Sequence, residues 1–285
     1  MQDLSSADRN TVRTSVPRLA AVAIASVLVL AAASAARAET DAEKLMKTGQ
    51  CEGCDLRLES LRRIKLDKPN LNEANMRETD LKEASLRGGT FVGADLRRAE
   101  VEKADFTGAD FTDAQLRGAD FEKSTMDNGK FVRADLREVD LVRTELSGAD
   151  FTDADMRRAR LDRATIKGAI FKNVKFDFGS LERADVSGAD FTSARLTQVD
   201  FDRTVAVGAK FHGADLSNAR MTSADFSGAD FTGADLSNAL IRRTNFSGAD
   251  LSRAGGLSQK RLDLACGDDK TKLPSGYTLK TCHSE

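Results

Sequence analysis

Apolar residues recur at every fifth position from Leu56 to Leu251, through 40 positions without a change of register. This period is neither the ~3.6 residues of an α-helix nor the 2.0 of a β-strand. In a typical unit, 93–97, Ala94 lies two positions before the apolar centre Leu96. Ala94, Asp95 and Leu96 then alternate in, out and in, as a three-residue piece of strand would. The two remaining residues turn the chain, so we expect each pentapeptide to form one side of a polygon.

A longer period predicts the number of sides. Every fourth centre is a phenylalanine in eight successive cases: Phe91, Phe111, Phe131, Phe151, Phe171, Phe191, Phe211 and Phe231. One coil is therefore 20 residues with four sides, and residues 20 apart stack at the ~4.8 Å spacing of neighbouring strands. The pattern predicts an all-β square solenoid of about ten coils over residues 56–254, with these rings stacked as an internal column.

A column of glycines indicates one corner of this polygon. Positions 88, 108, 148, 168, 188, 208, 228 and 248 are all glycine, and Asn128 fills the gap in the column, whereas Lys68 departs from it. Glycine and asparagine tolerate the left-handed backbone that a type II turn requires. The column therefore predicts one corner of the square.

The repeated units, such as 148–152 and 228–232, resemble those of the pentapeptide repeat family. The resemblance implies a right-handed quadrilateral β-helix. It does not imply one activity: the best known members inhibit or protect DNA gyrase, and most others have no assigned role. Because helical termini mediate dimers in some relatives, the resemblance is also compatible with a homodimer through the C-terminal cap.

The first 38 residues have the three-part form of a secretory signal peptide. Arg9, Arg13 and Arg18 precede an apolar run from Leu19 to about residue 36, and a small-residue cleavage site ends at Ala38. An uncleaved membrane anchor is the alternative, but the run is short and alanine-rich for spanning ~30 Å. We therefore expect residues 1–38 to be removed and the protein to be exported, either periplasmic or secreted from a bacterium.

Open coils need protection at both ends of a solenoid. Within an N-terminal cap at 39–55 we expect a short helix over 42–47, and within a C-terminal segment at 255–285 a helix over 258–265 with Ser258 as its N-cap. In an oxidising compartment Cys266 and Cys282 are expected to form a disulfide that staples the C-terminal tail. The Cys51 and Cys54 thiols either form a second disulfide or stay free, and thiol-redox activity is the weaker interpretation of this pair.

Charge makes the outer surface the candidate functional region. The formal net charge of −2 is neither basic enough for broad phosphate binding nor acidic enough for an obvious DNA mimic. Acidic and basic columns alternate, which favours a zwitterionic face that keeps the rod soluble. The alternative is a docking strip for an anionic partner. Its expected centre, where acidic cover is less complete, is six stacked arginines, the arginine strip: Arg57, Arg77, Arg97, Arg117, Arg137 and Arg157.

Catalysis has little support in the sequence. The two histidines, His212 and His283, have no arrangement of partners for acid–base or nucleophilic work. Neither a metal-ligand spacing nor a phosphate-binding loop of a usual kind is present, and a filled interior offers no small-molecule cavity. Exposed apolar residues such as Phe178 and Val205 are interpreted as an irregular wall.

These features predict a non-enzymatic protein without cofactor, metal or small-molecule substrate, whose charged face binds a protein partner in the cell envelope. A nucleic-acid partner is not expected. The alternative is an inhibitor or protector of a DNA topoisomerase that acts by mimicking duplex DNA, which the signal peptide and the near-neutral face disfavour.

Overall fold

The computed structural model describes residues 39–282; the signal peptide predicted at 1–38, and His283, lie outside them. The regular elements are α1 (Asp41–Thr48), α2 (Gln259–Leu262), β1 (Cys266–Gly267) and β2 (Lys280–Thr281), and β1 pairs with β2 in parallel. Between α1 and α2 the chain forms a ladder of parallel bridges, each joining a residue to the one 20 positions later, as Asn70 to Thr90. The predicted coil of 20 residues is confirmed.

Each pentapeptide contributes one bridging residue to this ladder rather than the expected three-residue strand. In the unit centred on Phe91, the N–H of Phe91 donates to the carbonyl of Asp110 in the next coil at 2.7 Å, and the N–H of Ala94 donates back to the carbonyl of Phe91 at 3.0 Å. The second bond closes a four-residue turn. Because two residues of every pentapeptide form such a turn, few residues between the corners are extended.

The predicted glycine corner has the expected left-handed backbone, with φ of +68° at Gly148 and +57° at Asn128. The other three corners adopt the same conformation, mostly with residues other than glycine, such as Arg133 at +58°. Even Lys68, the exception in the glycine column, has φ of +48°. Glycine therefore does not distinguish one corner. At the other corners, hydrogen bonds between coils hold residues with a Cβ in the left-handed conformation. That conformation costs roughly 1–2 kcal/mol per residue.

The eight phenylalanines stack as predicted. Neighbouring ring centroids are 4.6–5.2 Å apart with interplanar angles of 2–16°, and all eight side chains are buried. Cys51 is buried one pentapeptide before Leu56, and Gln50 bridges Asn70, so the bridging register extends upstream of the predicted repeat.

Polar residues that occupy inward positions find backbone partners. The Thr79 hydroxyl donates to the Leu56 carbonyl at 2.7 Å and that of Ser124 donates to the Val101 carbonyl at 2.6 Å. Each bond reaches the preceding coil, so these buried hydroxyls cross-link the ladder instead of weakening the core.

Helix α1 is one residue longer at each end than the expected 42–47. Thr40 and Glu43 form a capping box at its start, and Gly49 ends it with φ of +68°. The buried Leu45 packs into the core, and the Asp41 carboxylate accepts a hydrogen bond from the N–H of Asp55 at 2.8 Å. The helix thus packs against the first turn of the ladder.

Helix α2 is shorter than the expected 258–265. Ser258 occupies the N-cap position without a side-chain capping bond; its hydroxyl instead accepts a hydrogen bond from Arg261 Nε at 3.2 Å. The helix stops early because the chain then rejoins the ladder, where Cys266 bridges Asn245. The expected apolar side is present, since Leu262 and Ala265 are both buried.

Both cysteine pairs are disulfide-bonded, Cys51 to Cys54 and Cys266 to Cys282. The predicted staple of the C-terminal tail is present, and the alternatives left open for the N-terminal pair resolve to the bonded form. Within residues 39–282, no helix is long and apolar enough to cross a membrane.

Replacing one ring of the phenylalanine column tests the core. Phe151→Ala should lower the free energy of unfolding by about 3–5 kcal/mol, because it leaves a cavity between two stacked rings. Thermal and denaturant unfolding would measure the loss, with His212→Ala on the exposed face as the control. A melting temperature equal to that of the control would contradict the inward column.

Candidate functional site

The arginine strip follows one corner of the solenoid, immediately after an inward centre in each of six coils. In four coils an aspartate two positions earlier pairs with the arginine, because both side chains flank a buried centre on the same outer surface. In the Asp95–Arg97 pair, Nε lies 2.8 Å from Oδ1 and Nη2 lies 2.5 Å from Oδ2. The other three pairs have the same two contacts: Asp55–Arg57, Asp135–Arg137 and Asp155–Arg157.

The electrostatics agree with this geometry. Burial raises the pKa of the Asp95 carboxyl, but the hydrogen bonds and charge of Arg97 outweigh it, so the net pKa lies below its usual value. The hydrogen bond from Arg57 similarly lowers the pKa of Asp55. These carboxylates are therefore ionised, and each neutralises its arginine.

The two remaining arginines differ from these four. Arg117 pairs with Glu138 of the following coil at 3.0 Å. Arg77 makes no ion pair within residues 39–282. We expected that carboxylates would pair with only some of the strip arginines. Within the described residues, the structure leaves one of the six without such a partner. In the other five the carboxylate comes from the same side of the coil or from the adjacent coil.

Three shallow depressions line up along this corner. The first, ≈ 600 Å³, lies beside Arg57 and Arg77; the second, ≈ 250 Å³, extends from Arg77 to Arg117; the third, ≈ 270 Å³, extends from Arg117 to Arg157. Arg77 lines the first two and Arg117 lines the last two. We call this continuous series the corner groove.

An exposed apolar residue lies at each end of the corner groove. Leu58 lines the first depression and is 75% exposed, and Phe178 lines the third and is 57% exposed. In the coil of Phe178 the charge order reverses, since Asp177 occupies the arginine column and pairs with Arg195 of the next coil at 2.5 Å. Our interpretation of Phe178 as part of an irregular wall did not consider its position at the end of this groove. The signal was available in the sequence, because Leu58 and Phe178 share one column of the 20-residue register.

A second basic column is neutralised at five of its eight positions within residues 39–282; its members are Arg63, Lys103, Lys123, Arg143, Arg163, Arg183, Arg203 and Arg243. Arg63 pairs with Glu83 at 2.9 Å, Lys123 pairs with Glu122 at 2.8 Å, and Arg143 approaches Glu122 at 3.5 Å. These pairs are the mutual neutralisation expected for a zwitterionic face.

One group of potential metal ligands lies under α1. Single ligand atoms of Asp41, Cys51 and Cys54 lie within 4.8 Å of one another. The disulfide withdraws both thiolates from coordination, because a metal binds the thiolate form. Lys44 Nζ lies 4.0 Å from Cys54 Sγ above it. The arrangement closes the first coil rather than presenting a reactive thiol.

The chain belongs to the pentapeptide repeat family. The model described as "Pentapeptide repeat region" matches residues 94–178, and that described as "Pentapeptide repeats (8 copies)" matches residues 60–98, 169–205, 184–222 and 219–254. Members of this family form right-handed quadrilateral β-helices, which agrees with the four-sided coil of 20 residues. They are generally non-enzymatic structural or binding proteins.

Several solved pentapeptide repeat proteins are similar to the chain. HetL, from the cyanobacterium Nostoc sp. strain PCC 7120 and involved in heterocyst differentiation regulation, is 26% identical over 67% of this chain and 88% of its own, with a TM-score of 0.41. A trypsin-treated form of QnrB1, a plasmid-mediated fluoroquinolone resistance protein, is 22% identical over 65% and 91%, with a TM-score of 0.35.

A pentapeptide repeat protein from the Arabidopsis thaliana thylakoid lumen is 25% identical over 47% of this chain and 77% of its own, with a TM-score of 0.20. No curated protein sequence matches the chain.

Removing one strip arginine should leave the rod stable. Arg117→Ala breaks only an exposed ion pair, so the free energy of unfolding should fall by less than about 1 kcal/mol. Leu116→Ala, one residue earlier but inward, should cost about 2–5 kcal/mol. Denaturant unfolding of both variants measures the contrast, and a similar large loss for Arg117→Ala would make the strip a structural element.

Proposed function

We propose that this chain is an exported, non-enzymatic scaffold that binds an acidic protein partner along the corner groove. The observation that carries the proposal is the alignment of three depressions on one arginine column, with an exposed apolar residue at each end. In this proposal the rod is a rigid support of about ten coils closed by α1 and by the stapled C-terminal tail.

The chemistry of the corner groove favours a protein over a small molecule. Its depressions are open and shallow, whereas small-molecule sites usually enclose their ligand. Arginine is enriched at protein interfaces, and an exposed aromatic residue such as Phe178 is a typical anchor. Paired arginines keep hydrogen-bond donors at fixed positions, so a partner meets an ordered surface.

The length of the corner groove limits the partner's contact. Six coils separate Leu58 from Phe178, which corresponds to about 29 Å at ~4.8 Å per coil. An extended peptide covers ~3.3 Å per residue. A segment of about nine residues, with acidic side chains between two apolar ends, would match the groove in length and charge.

A charge-reversed groove provides the test. We would measure the fluorescence anisotropy of a labelled nine-residue glutamate-rich peptide with the wild-type mature chain and with Arg77→Glu/Arg117→Glu/Arg158→Glu. Arg158 is not a member of the arginine strip but lines the third depression next to Arg157. Binding should weaken at least tenfold in the variant and should weaken with salt, because surface charges are screened. Both proteins should keep the same melting temperature.

The matched control reverses three cations of the second basic column, Lys103→Glu/Arg163→Glu/Arg243→Glu. These three form no ion pair within the part of the chain that the structure describes; of the groove variant's arginines, Arg77 and Arg158 likewise form none and Arg117 pairs with Glu138. Equal weakening in both variants would make the effect one of net charge and would reject the groove. Tighter binding of a ten-base-pair duplex than of the peptide would indicate a nucleic-acid partner instead.

DNA mimicry is the weaker alternative. A protein that replaces duplex DNA on a topoisomerase has to present anionic charge in the place of phosphates. The corner groove instead presents guanidinium groups. Inhibition of gyrase supercoiling by the purified chain would nevertheless overturn the preferred function directly. Pairing of two copies through the C-terminal cap also stays a prediction.

Export is the second part of the proposal, and it is supported by the form of residues 1–38 and by two disulfides, which persist in oxidising compartments. The protein recovered from fractionated bacterial cells should be periplasmic or secreted and should begin at Glu39. Intact mass and N-terminal sequencing would check this. An unprocessed chain in the cytoplasmic fraction would overturn export and leave the groove proposal to its own test.

A further inference from the structure

Two positions in the aspartate column beside the arginine strip are amides between carboxylates, Asn75 and Gln115. The arginine that follows Gln115 pairs with Glu138 instead, so only Asn75 leaves a strip arginine without an ion pair within residues 39–282. Asp55 and Asp95 each hold the arginine two positions later with two hydrogen bonds. Asn75 occupies the same position in the coil between them, bridging Asp55 on one side and Asp95 on the other. The backbone is equivalent in all three coils, so the difference lies in the side chain.

The amide leaves two groups without partners. Arg77, which Asn75 would hold if it were an aspartate, makes no ion pair within residues 39–282. The Asn75 side chain makes no hydrogen bond there either, and its Oδ1 is buried. A buried oxygen without a donor carries a desolvation cost, and an amide provides no charge to balance a guanidinium. The coil therefore loses stabilisation that both of its neighbours have.

Two of the three acidic residues that line the first depression with Arg77 are engaged elsewhere, and the third, Glu59, forms no ion pair with it. Asp55 is held by Arg57, and Glu78 lies 3.7 Å from Arg98. Asp95 is held by Arg97, although the charge of Arg77 also contributes to the lowered pKa of Asp95. Among the six arginines of the strip, Arg77 is therefore the one whose guanidinium can bind a ligand without breaking an existing ion pair.

The surroundings of Arg77 can admit a ligand. Arg77 lines both the ≈ 600 Å³ depression and the ≈ 250 Å³ depression next to it. Leu58, the most exposed large apolar side chain of residues 39–282, lines the larger one. A cation and an apolar surface therefore adjoin in one depression.

We propose that Arg77 and Asn75 form a carboxylate subsite, in which an aspartate or glutamate side chain of the partner supplies the carboxylate that Asn75 lacks. The ligand would take the role that Asp55 and Asp95 have in the adjacent coils, with two hydrogen bonds to the guanidinium. An apolar neighbour of that acidic residue packs on Leu58. This subsite rests on the proposed function and names the position in the groove where binding is strongest.

The decisive variant restores the missing pair. Asn75→Asp is nearly isosteric and should hold Arg77 as Asp95 holds Arg97, so the melting temperature should stay equal or rise. Affinity for the labelled glutamate-rich peptide should fall about tenfold. Asn218→Asp, the same change on an exposed asparagine seven coils away, should leave affinity unchanged.

A site-specific readout separates this subsite from the whole groove. With arginine Nε–Hε groups labelled for NMR, the peptide and the small dicarboxylate glutarate should both shift the Arg77 signal in the wild type. Neither should shift it in Asn75→Asp. The reverse variant, Asp95→Asn, should free Arg97 and make its signal respond as well.

Each outcome decides between the two proposals. If Asn75→Asp binds the peptide like the wild type while the triple charge reversal abolishes binding, the groove stands and the subsite is wrong. If glutarate shifts Arg77 but the peptide does not bind, the subsite stands and the groove is wrong. If neither ligand moves the Arg77 signal and the triple charge reversal leaves peptide binding unchanged, both are overturned. Arg77→Gln provides a second variant should Asn75→Asp fail to fold.

Discussion

The parallel hydrogen-bond register of 20 residues is the constraint on which the rest of the structure depends. It places each residue directly beside those 20 positions before and after it, as Asn70 beside Thr90. The register can persist only if every centre stays buried, because a slip by one residue would turn the apolar set outward. Once the register is fixed, side chains at the same position of successive coils form a column on the surface. The residue types at that position determine the chemistry of the column. The phenylalanine column and the arginine strip are two results of the same constraint.

The corners show how strongly the ladder overrides local preference. Arginine, glutamate and even Phe178 adopt a left-handed backbone there, at φ of +59° for Phe178. Isolated peptides would seldom do so, since the conformation is unfavourable for residues with a Cβ. The turn bond from Ala94 to Phe91 and the bond from Phe91 to the next coil are made only in this geometry. A side chain at such a corner is held outward, which is why Leu58 and Phe178 are exposed despite being apolar.

The sequence predicted the features that repeat and missed those that depend on single substitutions. The coil length, the stacked rings and the disulfide between Cys266 and Cys282 follow from periodicity or spacing. The pairing of the arginine strip did not follow, because a column of like charges says nothing about which neighbour each side chain takes. Arg97 turns back to Asp95 of its own coil, whereas Arg117 reaches forward to Glu138. The shortening of α2 also depends on a tertiary contact, the return of Cys266 to the ladder beside Asn245.

Under the proposed function, a nearly neutral surface can still be selective because of an unpaired position in the arginine strip. When each guanidinium already has a carboxylate, a binding partner gains little from it, because forming a new pair requires breaking an old one. Affinity then concentrates where a pair is missing. Along this corner the change from a carboxylate to the amide of Asn75 creates such a position without altering the backbone. In a repeat protein every coil has the same backbone. The positions where the repeated aspartate–arginine pair is absent are therefore those at which the protein can discriminate between partners.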